Sequence, residues 1–101
     1  MHKIFIMGDI HTVSAFSLAG VTGIVCERSS APAELEALLG AGGAGIVLIT
    51  QDLARDLQTR IALLNLSGTA PVVIEIPGID EEFRLRRSVV DYIAEALGIS
   101  L

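Results

Sequence analysis

The residues Gly40 to Gly45 (GAGGAG) spell G-x-G-x-x-G, the glycine pattern of a dinucleotide-binding turn. That chemistry needs the glycines to follow a strand and open a helix, so that backbone N–H groups and the helix N-terminus meet a pyrophosphate. Here the glycines follow a helical stretch and precede Ile46–Ile49 (IVLI), the most strand-like run in the chain. They therefore fall at the wrong end of a strand for a phosphate cradle. The strand they precede ends at Thr50, with no acid in place to hold a ribose. GAGGAG is expected to be a helix stop and a turn into a sheet.

Other chemistry-bearing residues are sparse. Asp9 and His11 lie close enough to suggest an acid–base pair, but such neighbours more commonly make a turn and a helix cap. A phosphoryl-receiver site needs a cluster of acids, with an aspartate ending the third strand as phosphate acceptor. Thr50 occupies that position, Asp52 already belongs to the next helix, and the only lysine in the chain is Lys3. Asp9 alone offers too little oxygen charge for Mg²⁺. Cys26 sits in a short apolar strand and is expected to be an unreactive thiol. Glu75 interrupts an apolar strand, as a side chain on a sheet edge does, with pairing to a partner or a late arginine as the alternative. There is no P-loop, no metal-ligand spacing and no Ser/His/Asp arrangement. No catalytic, cofactor-binding or metal-ligating residue is expected.

The elements that would position any site are easier to read. The chain has 101 residues, 51% of them hydrophobic and only 4% aromatic, so one domain with an aliphatic core is expected. Its net charge of −5 disfavours nucleic acid as a partner. A single cysteine and no apolar run of membrane-spanning length suit a cytoplasmic protein that reaches a membrane only through partners. Strands are expected at Lys3–Met7, Gly23–Cys26, Ile46–Ile49 and Val72–Ile76. Helices are expected after Asp9 or Thr12 (ended by Gly20 and Gly23), after Ser29–Pro32, after Thr50 and after Asp80. The third helix is read as one element, because Leu53, Leu57, Ile61 and Leu64 share a face. The order β-α-β-α-β-α-β-α, with right-handed crossovers, predicts an α/β fold. It is a single domain with a four-stranded parallel sheet of order 2-1-3-4 flanked by helices, flavodoxin- or receiver-like, with a C-terminal helix. Residues 1–78 form the sheet domain, and 79–101 a helix within it or hinged to it at Pro77-Gly78.

That last helix carries the most distinctive surface. Arg84, Arg86 and Arg87 crowd its start in an otherwise acidic chain. Arg84, Arg87 and Asp91 share a face rotated from the Leu85/Val89/Ile93/Leu97 stripe, and Val90, Tyr92 and Ala94 widen the apolar surface. A solvated face with an Arg87–Asp91 pair is one reading. A partner-binding helix is the other, since Arg and Tyr are enriched at interface anchors. The pattern alone leaves both open.

With these segments placed, the chain resembles the F subunit of the V-type and A-type rotary ATPases. The resemblance rests on MGDIHTVSAFSLAGV (Met7 to Val21), GIVLIT (Gly45 to Thr50) and PVVIEIPG (Pro71 to Gly78) with an acidic helix start after it, and it spans the whole chain. Ala15, Ser17 and GAGGAG depart from the family pattern. The resemblance implies a non-catalytic central-stalk (rotor) component that binds the coiled-coil D subunit, with the catalytic A/B ring as a further contact, and helps couple ATP turnover to proton or sodium transport. It implies a rigid sheet domain and a C-terminal helix that docks or swings against partners. Arg84, Arg87, Val90, Asp91 and Ala94 are the residues expected to face the D subunit. No cofactor, nucleic acid or direct membrane insertion is implied, and the protein is expected to be cytoplasmic, peripheral to the membrane within the complex. An isolated chain is expected to be prone to artificial dimerisation. A receiver-like or small-ligand-binding regulator, using the crevice near Gly8, Asp9, Thr50 and Gly78, is the alternative.

Overall fold

A computed structural model describes residues 3–69, 71–79 and 96–98. Four strands, β1 (Lys3–Gly8), β2 (Thr22–Val25), β3 (Ala44–Thr50) and β4 (Val72–Ile76), form one parallel sheet of order β2-β1-β3-β4. Between them run α1 (Ile10–Ser17), α2 (Ala31–Ala41), and α3 (Gln51–Ala54) followed by α4 (Gln58–Leu66). The expected α/β fold and strand order are therefore observed.

Alternation along the strands divides the core into two layers. On one face Met7, Val47, Ile49 and Val73 pack against Ala31, Leu35 and Leu38 of α2, Leu53 and Ala54 of α3, and Ile61 of α4. Strand pairing aligns these residues: Met7 lies beside Ile49, and Val47 beside Val73. On the other face α1 lies against β1 and β2, bringing Val13 and Ala15 into the core with Ile6. The β3–β4 half of that second face carries Val72 and Ile74, which remain 48% and 43% exposed.

Two local readings need correction, and a third is observed. The apolar stripe on the third helix is real, since Leu53, Leu57 and Ile61 are all buried, but the helix is broken at 55–57 into α3 and α4. Leu57 leaves the helical region (φ −117, ψ 13). Its N–H and the Gln58 side-chain amide both donate to the Ala54 carbonyl, at 2.9 and 3.0 Å, so the end of α3 is satisfied without a continuous ladder. GAGGAG is, as expected, a helix stop and a turn into the sheet. Gly40 and Ala41 close α2, Gly42 and Gly43 turn with φ of 74° and 87°, and Ala44 and Gly45 already belong to β3.

Gly23 does not end α1; it lies in β2, the strand it was expected to open. A Cβ placed on Gly23 would collide with Val13 Cγ1, so the glycine is what lets α1 close onto the edge strand. Gly23→Ala is expected to destabilise the protein by about 1–3 kcal/mol despite alanine's lower backbone entropy, because α1 must shift. Urea denaturation checks this, and an unchanged midpoint would contradict it.

The outer edge of β4 is guarded. The Asn65 side chain donates to the Val73 carbonyl and accepts from the Val73 N–H, both at 2.9 Å. It thus takes the place a neighbouring strand would occupy at that residue. Glu75, exposed on this strand, accepts from Gln58 Nε2 at 3.0 Å. This accords with the edge-strand reading. Two exposed ion pairs, Arg28–Asp56 and a two-pronged Arg60–Glu36, tie the α2 side to the α3–α4 side, each adding little in water.

Candidate functional site

In a doubly wound sheet, ligands sit beyond the C-terminal ends of the strands, where the strand order reverses. Here that point lies between β1 and β3. The end of β1 turns at Gly8, which has no room for a side chain: an added Cβ would come within 2.7 Å of Thr50 Cγ2. Asp9 comes next and caps α1, its Oδ2 accepting from the His11 and Thr12 N–H groups at 3.0 and 3.2 Å. The fully buried Thr12 donates its hydroxyl proton to Asp9 Oδ1 at 2.6 Å. The same hydroxyl oxygen accepts from the Ile79 N–H at 3.0 Å.

Ile79 is only 2% exposed. Its neighbour Gly78 runs against the same group, since a Cβ built there would lie 3.8 Å from Asp9 Oδ1 and Thr12 Oγ1 and 3.9 Å from Thr50 Cγ2. After β4 the chain therefore crosses back over the end of β3, with Ile79 at the switch point. Beside this crossing is an open cavity of about 890 Å³, reached by Asp9, His11, Cys26, Arg28, Thr50 and Asp52 among others.

The chemistry available there is limited. The N–H groups of His11 and Thr12 at the start of α1, which would greet a phosphate, are taken by the Asp9 carboxylate, which also repels an anion. Thr50, at the receiver acceptor position, is buried and lacks a carboxylate. Arg28 is engaged with Asp56 at 2.8 Å. Among the described residues no group of three His, Cys, Asp or Glu side chains is placed to hold a metal ion. Cys26 is half-buried just past β2, and burial, with the nearby Glu34 charge, pushes its thiol above the usual cysteine range. A thiol held protonated is a poor nucleophile. Asp9 and His11 form a cap and not an acid–base pair, because the contact runs from the His11 backbone.

Asp9 itself titrates in a readable way. Partial burial pushes its carboxyl up, but the Thr12 hydroxyl and the surrounding backbone N–H groups outweigh that and hold it below the usual aspartate value. The bonds favour the ionised form, so the stability they add is fully present above the unfolded-state value near pH 4 and is lost as pH falls through the lowered native one. Asp9→Asn is expected to flatten this acid limb of the stability curve, as thermal melts between about pH 2 and 6 will check. An unchanged limb would contradict the assignment.

The residues expected from the sequence to face a partner, Arg84, Arg87, Val90, Asp91 and Ala94, lie outside the described residues. What sequence reading missed is the Thr12–Ile79 contact. Thr12 appeared there only as a candidate cap, and nothing local signals a partner 67 residues away.

No helix among the described residues is long and apolar enough to cross a membrane. The comparison with curated proteins returned no match. Residues 4–93 match the family described as ATP synthase (F/14-kDa) subunit. With that match spanning nearly the whole chain and all four strands of the parallel sheet, the protein belongs to the family of F/14-kDa subunits of the ATP synthases, the V/A-type ATPase F subunit that its sequence resembles.

Proposed function

We propose that the chain is a non-catalytic central-stalk component, the F subunit of a V/A-type ATPase. In this reading it binds the coiled-coil D subunit and helps couple ATP hydrolysis or synthesis to proton or sodium transport. The family match over residues 4–93 carries the reading. The crevice adds support, because Asp9 and Thr12 at the switch point are occupied in capping α1 and in holding the chain's own Ile79. A small-ligand or receiver-like module would use those groups on a ligand.

Arg84, Arg87, Val90, Asp91 and Ala94 are proposed to face the D subunit, on the face rotated away from the Leu85/Val89/Ile93 stripe. The protein then works at the cytoplasmic side of the membrane, held there by the complex. The test is co-purification of the tagged chain from its native cell, with mass spectrometry of the proteins that accompany it. A rotary ATPase set including a long coiled-coil component is the expected result. Recovery of the chain without any ATPase component would overturn the reading.

A further inference from the structure

We propose that Asp9 and Thr12 form a clamp that fixes where the chain leaves the sheet, so that Pro77-Gly78 is held in place and does not act as a hinge. Pro77-Gly78 has the composition of a hinge, but the residue after it is anchored. Ile79 is buried, and its N–H is held by a hydroxyl that is itself buried and oriented by a carboxylate. A hydroxyl has one proton and accepts through its lone pairs. With the Thr12 proton committed to Asp9 at 2.6 Å, a lone pair is left for Ile79. The Asp9 carboxylate is in turn fixed by two N–H groups of α1. The chain of bonds thus runs from the rigid start of α1 to the first backbone amide after the turn.

The close approach of Gly78 to Asp9, Thr12 and Thr50 supports the clamp independently of the hydrogen bonds. The crossing chain is seated on the ends of β1 and β3 and does not hang from β4. Rotation at Pro77-Gly78 would require the buried Ile79 N–H to give up its partner. The clamp therefore sets the exit point over the middle of the sheet. Thr12 and Asp9 become positioning residues for whatever the chain beyond Ile79 engages. That consequence for the D subunit rests on the function proposed above.

Amide exchange of the whole chain tests the clamp, comparing wild type with Thr12→Val, Thr12→Ser and Ile61→Val. Valine keeps the shape of threonine but loses the hydroxyl; serine keeps the hydroxyl. Ile61→Val imposes a modest global loss on the opposite layer of the core. The Ile79 amide is expected to be protected in wild type and to exchange at least about tenfold faster in Thr12→Val, with protection kept in Thr12→Ser and Ile61→Val. Equal protection of Ile79 in wild type and Thr12→Val would overturn the clamp. So would a loss in Ile61→Val as large as in Thr12→Val, since the effect would then be global.

Binding to the purified D subunit separates the two proposals. Thr12→Val is expected to bind about three- to tenfold more weakly, because the exit must then be ordered on association, and Thr12→Ser is expected to match wild type. Equal affinities for wild type and Thr12→Val would overturn the positioning role. Failure of wild type to bind would sink the stalk function, while the exchange data would still decide the clamp.

Discussion

Ile49→Ala is expected to destabilise the protein by about 2–5 kcal/mol. Ile49 is fully buried on a central strand, paired with Met7 on one side and Glu75 on the other. It belongs to the layer that includes Leu35 of α2 and Leu53 of α3. Removing its outer carbons leaves a hole whose walls have little freedom to close, because β3 is held by strands on both edges and the interior is close-packed. Against a total stability of about 5–15 kcal/mol for a domain of this size, such a loss is large. Thermal unfolding is expected to fall by roughly 10 °C or more. Ile74→Ala, at a position 43% exposed on a neighbouring strand, serves as the control and should cost far less. Similar costs at the two positions would contradict the layer assignment.

The second large effect is on assembly. Replacing Arg87 and Val90 together by aspartate is expected to weaken association with the D subunit by at least about 100-fold, close to 2.7 kcal/mol. An arginine anchor is reversed in charge, while an apolar contact is replaced by a carboxylate that would have to be desolvated. Both residues fall off the Leu85/Val89/Ile93 stripe in helical projection, so the fold is expected to survive. Calorimetric titration of the variant, with its circular dichroism spectrum and melting temperature alongside, separates binding from folding. Unchanged affinity would remove these residues from the interface.

How far the sequence could be read depended on the range of the interaction. The strands were legible because short aliphatic, β-branched runs such as IVLI and VVIEI have strand composition, and the right-handed crossover rule then orders them. Of these two only β3 is largely buried, while β4 is an edge strand exposed at Val72, Ile74 and Glu75. The break between α3 and α4 was not legible, because Leu53, Leu57 and Ile61 keep helical spacing straight through it and the Ala54 carbonyl is rescued by a side chain. Gly23 reads as a helix stop by composition, yet its role is a close approach to Val13 across the α1–β2 contact. A cavity lies where topology places the crevice, lined by Asp9, Thr50 and Gly78 but not by Gly8. The occupant of its floor was hidden, since a hydroxyl such as that of Thr12 has no sequence signal for a distant backbone partner.

The proposed stalk role requires that the chain bind the coiled-coil D subunit directly, without help from the rest of the complex. Calorimetric titration of the purified chain with the purified D subunit of the same cell, in the absence of nucleotide, tests this most directly. A one-to-one complex with a Kd below about 1 μM is the predicted result. No detectable binding at concentrations of about 100 μM would contradict the stalk role.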